Sequence, residues 1–457
     1  MGHLHGFVGA AGRALTIIAA PSAGKGPWKR AVLWLAGLAP FFYASYGLAN
    51  YLADQRAFVP SIVFGWEHGI PFLPWTIIPY WSINVFYAAS LFVCTTREEV
   101  DTLGRRLLTA QAIAVCCFIV FPLRFTFTRP AINGGISGLL FDALLSFDKP
   151  YNQAPSLHIA LLVILWVHYW RHVPHWARLP LHLWYTLIGA SVLTTYQHHF
   201  FDIPTGALLG LFCLWLWPDQ GNLALSRGGD RGKRWKLASF YGLGALMLAI
   251  AGICIGGWAL WLCYPAISLA LVGVNYALVG AAGFQKRADG TMPIAARLLF
   301  TPYQAGAFLN SRLWTRHDPR PVEVVRGIHL GRIPSRFDRH GQPFAGVIDA
   351  AAELPALQGR SAIHAIAMLD LVAPSPVALY EAANAIEKAG RQGTVLVCCA
   401  LGYSRSAASL ATWLLKSGRA RSVDEAVAIL KGVRPRIVLG AEARKAIATA
   451  AEYGNDG

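Results

Sequence analysis

Charge is scarce in this 457-residue chain: Asp, Glu, Lys and Arg make up 14% of it, and only 24 residues are acidic. With 55% hydrophobic residues, that scarcity excludes a disordered or fibrous chain. A mean hydropathy of +0.42 is too high for an ordinary soluble enzyme. Cysteine is sparse as well. Six of the eight, Cys94, Cys116, Cys117, Cys213, Cys254 and Cys263, sit in apolar runs, where Cys behaves as a small hydrophobe. The others are Cys398 and Cys399. No spacing among them gives a zinc site or a disulfide framework, so neither metal nor cofactor is expected. No Lys/Arg stripe follows one element, which sets nucleic acid aside. No repeat recurs at a fixed period.

The charge that is present is lopsided, at +16. That excess fits basic loops beside anionic lipids, or acidic substrates such as phosphates. Apolar residues concentrate before residue 285. Eight spans are expected there, near 31–52, 75–94, 107–123, 156–170, 180–197, 201–217, 237–257 and 263–283. The tail 1–30 carries Arg13, Lys25, Lys29 and Arg30. Basic loops follow at 95–106, 171–179 and 218–236, and Lys286 and Arg287 follow the last span. Eight spans put all of these on the side of the N-terminus, which the positive-inside rule makes cytoplasmic. The segments 53–74 and 124–155 then face outward. The expected fold is a polytopic α-helical membrane domain over 31–284, a linker over 285–320 with interfacial stretches, and a soluble α/β domain over 321–457. In the last, short β-branched runs alternate with helical periods.

Two constellations carry chemistry. The first lies in three segments expected to meet at the outer face: 121–130, with Arg124 and Arg129-Pro130; 154–158, with Pro155-Ser156-Leu157-His158; and 194–206, with His198 and Asp202. Ionisable groups at membrane depth are costly and point to function. Two arginines can clamp a phosphate with forked donors. A histidine oriented by a carboxylate can attack phosphorus, and a second can protonate the leaving oxygen. These residues resemble the type 2 phosphatidic acid phosphatase superfamily, and Thr194-Thr195-Tyr196-Gln197-His198-His199 is closer to its inositol-phosphorylceramide and sphingomyelin synthase branch. The resemblance covers roughly 60–217. It implies His198 as nucleophile, His158 as general acid, Asp202 as the group orienting His198, and Arg129 as phosphate ligand, with Arg124 and Ser156 as further candidates. Three positions depart from the family pattern: Leu157 stands for Gly, Ser191-Val192 for Ser-Arg, and Pro122 for the first motif's Lys.

The second constellation is Thr394-Val395-Leu396-Val397-Cys398-Cys399-Ala400-Leu401-Gly402-Tyr403-Ser404-Arg405-Ser406. An apolar strand runs into a loop that Gly402 allows to be tight, and a helix continues from it. Loop amides and the helix N-terminus would point at one anion. Their field, with Arg405, favours a thiolate at Cys399. This stretch resembles the dual-specificity branch of the protein tyrosine phosphatases, over about 321–450. The resemblance implies Cys399 as nucleophile, Arg405 and Gly402 at the phosphate, Ser406 as the hydroxyl that helps the thiolate leave, and Asp370 as general acid. Cys398 stands where that family has His. Asp349 is a rival acid, expected to be structural.

Together the two resemblances imply a bacterial fusion in the inner membrane, multi-pass, with a cytoplasmic C-terminal domain. Its expected function is a bifunctional phosphatase or phosphotransferase for lipid phosphates, with the bilayer as partner. The alternatives are a membrane-anchored protein phosphatase and a module that binds phosphorylated headgroups without cleaving them.

Overall fold

A computed structural model describes residues 27–453, apart from 133, 222, 224, 227–229, 336, 337, 339–343 and 360. Arg13 and Lys25 of the basic tail, and Arg227, lie outside the described residues. The N-terminal part is helical: α1 (Trp28–Asp54), α2 (Ile77–Val93), α3 (Arg97–Val120), α4 (Gly135–Leu145), α5 (Leu157–His172), α6 (Arg178–Thr194), α7 (Asp202–Leu216), α8 (Arg231–Ile255) and α9 (Cys263–Val274). Every expected span coincides with a helix. Five helical stretches are long and apolar enough to cross a membrane: Trp28–Asp54, Pro74–Val93, Arg97–Val120, Arg231–Ile255 and Gly257–Phe284. Helices α5, α6 and α7, with 16, 17 and 15 residues, are shorter. The segment 124–155, expected as an outer loop, contains α4, which packs Phe141 and Leu144 into the core.

Local chemistry sets the helix starts. Thr96 accepts from Glu99 N–H (3.1 Å), and the Glu99 carboxylate returns to Thr95 N–H (2.8 Å), a reciprocal cap for α3. Ser156 caps α5 by accepting from Ile159 N–H (3.3 Å), and Asp230 caps α8 through Lys233 N–H (3.1 Å). The outward flank of α8 exposes Phe240, Leu243, Leu246, Met247, Ile250 and Ile253, a face suited to hydrocarbon.

The segment 285–320, expected as a linker, folds into α10 (Ile294–Leu299) and α11 (Thr301–Trp314). Ala295, Ala296, Leu299 and Phe300 are buried in the core of the helical part. Composition hides this, because short mixed helices gain stability from what they pack on rather than from their own period.

The C-terminal part is a five-stranded sheet, ordered β1-β2-β5-β3-β4, from β1 (Val322–Val325), β2 (Ile328–Arg332), β3 (Gly346–Ala351), β4 (Ala362–Met368) and β5 (Val395–Cys399). Strand β1 pairs antiparallel with β2, and the other pairings are parallel. A central parallel strand is buried on both faces, and all five residues of β5 are. One face packs on α12 (Pro376–Gly390), α13 (Arg405–Lys416), α14 (Val423–Val433) and α15 (Ala441–Glu452). On the other, Ile333, Val347, Leu354, Leu396, Cys398 and Ala400 cluster with Ala307 and Phe308 of α11. The supposed connector thus covers one face of the sheet.

Candidate functional site

Strand β5 ends at Cys399, and α13 begins at Arg405. Between them Gly402 takes φ +80°, and a Cβ there would come within 2.5 Å of the Gly331 carbonyl, so only glycine fits. The loop wraps the sulfur: Gly402 N–H donates to Cys399 Sγ (3.2 Å), and the Ser406 hydroxyl donates to it (3.3 Å). Arg405 is buried, with Nη1 and Nη2 forked onto both Glu353 oxygens (2.6 and 2.7 Å) and Nη1 also on Met368 O (2.9 Å). Asp370, on the turn after β4, reaches Arg405 Nη2 at 3.1 Å and keeps its side chain partly exposed. Cys399, Gly402, Arg405, Ser406 and Asp370 therefore meet at one point. Burial alone would lower the Arg405 pKa, but Asp370 and Glu353 hold it well above its ordinary value. Glu353 shows the converse: burial pushes its carboxyl up, and Arg405 brings it below its usual range.

Two neighbours are set apart. Burial pushes the Cys398 thiol well up, and it points into the opposite cluster of the sheet. Asp349 is fully buried, and Lys286 Nζ reaches it at 2.5 Å while donating to Ala351 O and Leu354 O (both 2.7 Å). That geometry makes Asp349 a docking group rather than an acid.

In the helical part, Ser156 Oγ lies 3.1 Å from His198 Nε2, and His198 Nδ1 lies 3.1 Å from Asp202 Oδ2. Asp202 also accepts from His199 N–H (3.0 Å). His158 stacks on Tyr80 with ring centroids 4.2 Å apart, and its buried Nε2 has no hydrogen-bond partner among the described residues. Arg129 donates from Nε and Nη2 to Tyr196 O (both 3.1 Å), which ties the first motif to the third. Ser156, His158, His198, Asp202 and Arg129 thus belong to one neighbourhood. Arg124 differs: its side chain is exposed, and its backbone N–H donates to Pro60 O (2.8 Å). Val192, in the place of the family Arg, is fully buried, and its carbonyl accepts from Gln197 and His198 N–H.

Sequence reasoning missed the second tier of both clusters. Glu67 binds His199 Nδ1 (2.9 Å) and Phe200 N–H (3.0 Å), so His199 is a bracing residue. Asp148, before α5, accepts from the Tyr46 hydroxyl (2.9 Å), and burial raises its pKa to about 6. Glu353 likewise carried no local signal, since its meaning depends on a partner 52 positions away. Among the described residues, Cys94, Glu99 and His168 bring one potential metal ligand each within 4.8 Å. Glu99 there is paired with His172 (2.9 Å).

A cysteine met by a loop amide beside a helix N-terminus, with a clamped arginine and a partly exposed carboxylate, defines a phosphoric monoester hydrolase of the cysteine-phosphatase class. Residues 342–451 match the family model of the dual specificity phosphatase catalytic domain, and the C-terminal part of this chain is such a domain. Similar solved structures include PTPMT1 (18% identity, covering 29% of this chain and 94% of that one, TM-score 0.26). Tk-PTP in its active form is similar at 24% identity, over 30% of this chain and 99% of that one, with TM-score 0.27. Human DUSP28 is similar at 22% identity, over 29% of this chain and 95% of that one, with TM-score 0.25. No curated protein matches the chain.

Proposed function

We propose that the chain is a bifunctional membrane phosphatase or phosphotransferase acting on lipid phosphates, with a phospho-His site facing outward and a phospho-Cys site in the cytoplasm. In this reading eight helices cross the inner membrane of a bacterium, and the short α5, α6 and α7 are completed by the polar turns that flank them. One observation carries the reading: each half frames its own nucleophile, His198 Nε2 backed by Asp202 at Nδ1, and Cys399 Sγ met by Gly402 N–H and Ser406.

At the inner site Cys399 Sγ attacks phosphorus, and the bond to the leaving alcohol breaks as Asp370 passes its proton to that oxygen. Water then attacks the phospho-Cys, giving its proton to Asp370, and Ser406 donates to the departing sulfur. Arg405 holds the phosphoryl oxygens throughout. At the outer site His198 Nε2 attacks, and His158, whose Nε2 is unpartnered among the described residues, protonates the leaving oxygen. Arg129 and Ser156 lie nearest to hold the phosphate. The acceptor there is water or an alcohol.

The test is phosphate release from lipid extracts by the full chain in detergent. Cys399→Ser should abolish one activity and His198→Ala another, and no change in any product with either variant refutes the reading. A second reading, a membrane-anchored protein phosphatase, draws support from Val192 where the family has Arg, and from Arg129 being spent on Tyr196 O. It requires phosphotyrosine peptides to be turned over far faster than lipids, with His198→Ala silent.

A further inference from the structure

The loop at Cys399 does not open onto a shallow surface. It forms one end of a groove of about 1150 Å³ whose other wall is built by the helical part of the chain. Its lining joins Cys399 and Arg405 to Tyr303 and Gly306 of α11, Tyr241 of α8, and Pro265 and Leu269 of α9. Its depth along α8 can be fixed. A Cβ at Gly244, midway along α8, would lie 3.5 Å from Leu269 Cδ1, so the far end of the groove lies beside the middle of a helix long and apolar enough to cross a membrane. Charged groups of both signs line it too: Lys233 in the first turn of α8, Arg405 and Arg436, with Asp230, Glu353, Asp370 and Glu442. The Tyr241 and Tyr303 hydroxyls, 3.5 Å apart, mark the transition between the two regions.

We infer that this groove is a lipid subsite of the Cys399 centre: the phosphate monoester of a diacyl lipid sits on the Cys399 loop while an acyl chain lies along α11 and reaches Leu269. The inference rests on the phosphatase reading of Cys399 and adds the substrate's tail and the residues that select it. Hydrocarbon is the occupant because the far wall lies at bilayer depth, where an acyl chain loses no hydration and a peptide would leave its backbone polar groups unpaired. Along α8 the lining passes from charged groups at Asp230 and Lys233, through the Tyr241 hydroxyl, to Leu269 beside Gly244, the order of headgroup, ester region and chain in a phospholipid. The wall is supplied by α8, α9 and α11, so a sheet domain without them lacks the subsite. Selection arises from how closely the chain packs along this apolar wall, because a chain already in hydrocarbon gains nothing from leaving water.

Gly306 offers the cleanest probe, because nothing lies within 4 Å of a Cβ built there, so a larger side chain enters the groove without a clash. Phosphate release is measured from dioleoyl and dihexanoyl phosphatidic acid in mixed micelles. The full chain carries His198→Ala, so that only the Cys399 centre reports. Gly306→Leu should lower the ratio of kcat/KM for the long-chain over the short-chain lipid at least tenfold. Leu269→Trp, which narrows the far end, should do the same from a different helix. An unchanged ratio in both variants, with turnover still abolished by Cys399→Ser, overturns the subsite and leaves the phosphatase reading standing. Turnover that survives Cys399→Ser, or no turnover of either lipid, overturns the phosphatase reading and the subsite with it. A parent chain that does not distinguish the two chain lengths overturns the subsite, as does a phosphotyrosine peptide slowed by Gly306→Leu as strongly as the long-chain lipid.

Discussion

Arg405 must be charged and motionless to hold a phosphoryl group, yet it is buried where a lone charge is costly. Glu353 resolves this by taking both of its terminal nitrogens, which leaves Arg405 Nη2 also within reach of Asp370. Glu353→Gln should destabilise the C-terminal domain by about 3 kcal/mol, as breaking a buried pair does. Because Glu353 is held below the ordinary value of 4.5, its contribution is present above pH 4.5 and disappears as pH falls through the lower folded value. Denaturant unfolding followed from neutral pH into the acid range should show this acid-side loss in the parent and not in Glu353→Gln. A parent stability that does not fall there would refute the clamp. The two kinds of residue differ in legibility. Cys399, Gly402, Arg405 and Ser406 are close in sequence, so their spacing together with the strand before and the helix after suggested them. Glu353, Glu67 and Asp148 acquire their roles only from contacts across the fold, and no local pattern marks them.

At the scale of elements, the His198 cluster depends on how closely α7 approaches the start of α5. Gly206 and Gly210, one turn apart, make this possible. A Cβ at Gly206 would run into the Ser156 carbonyl, and one at Gly210 would come within 2.7 Å of Ala160 O. The contact sets Ser156 N–H on Asp202 O (3.2 Å) and so fixes the Ser156···His198···Asp202 line. Gly206→Leu should abolish the His198-dependent activity while Cys399-dependent phosphate release persists, measured on the same detergent preparation. Equal loss of both would mean a general collapse. The apolar runs that became these helices were plain in the sequence, because hydrocarbon-length hydrophobicity needs no partner to be read. Helices α4, α10 and α11 were not, because each is short and gains its order from the surfaces it meets.

At the scale of the whole molecule, the two halves share a core. Ala352 belongs to the apolar cluster of the helical part, with Ala367, Leu369 and Val372 packed against it. The join is polar as well. Lys286, just after the last long helical stretch, is fully buried and satisfied by Asp349 and two carbonyls, and the Tyr276 hydroxyl donates to Asp370 O (3.1 Å). Lys286→Met leaves the Asp349 charge alone in the interior and should cost about 3–5 kcal/mol. Thermal unfolding of the full chain should register it as a lowered Tm, and the double variant with Asp349→Leu should recover much of the loss. No recovery would mean that the pair does not hold the halves together.

The bond from Tyr276 to the backbone of Asp370 has a mechanical meaning. Under the proposed function, the proton donor of the sulfur chemistry is tethered to Gly257–Phe284, a stretch long and apolar enough to cross a membrane. On that reading, a bilayer that thins or stiffens and tilts this stretch would move the donor relative to the sulfur and so change the rate of phosphate release.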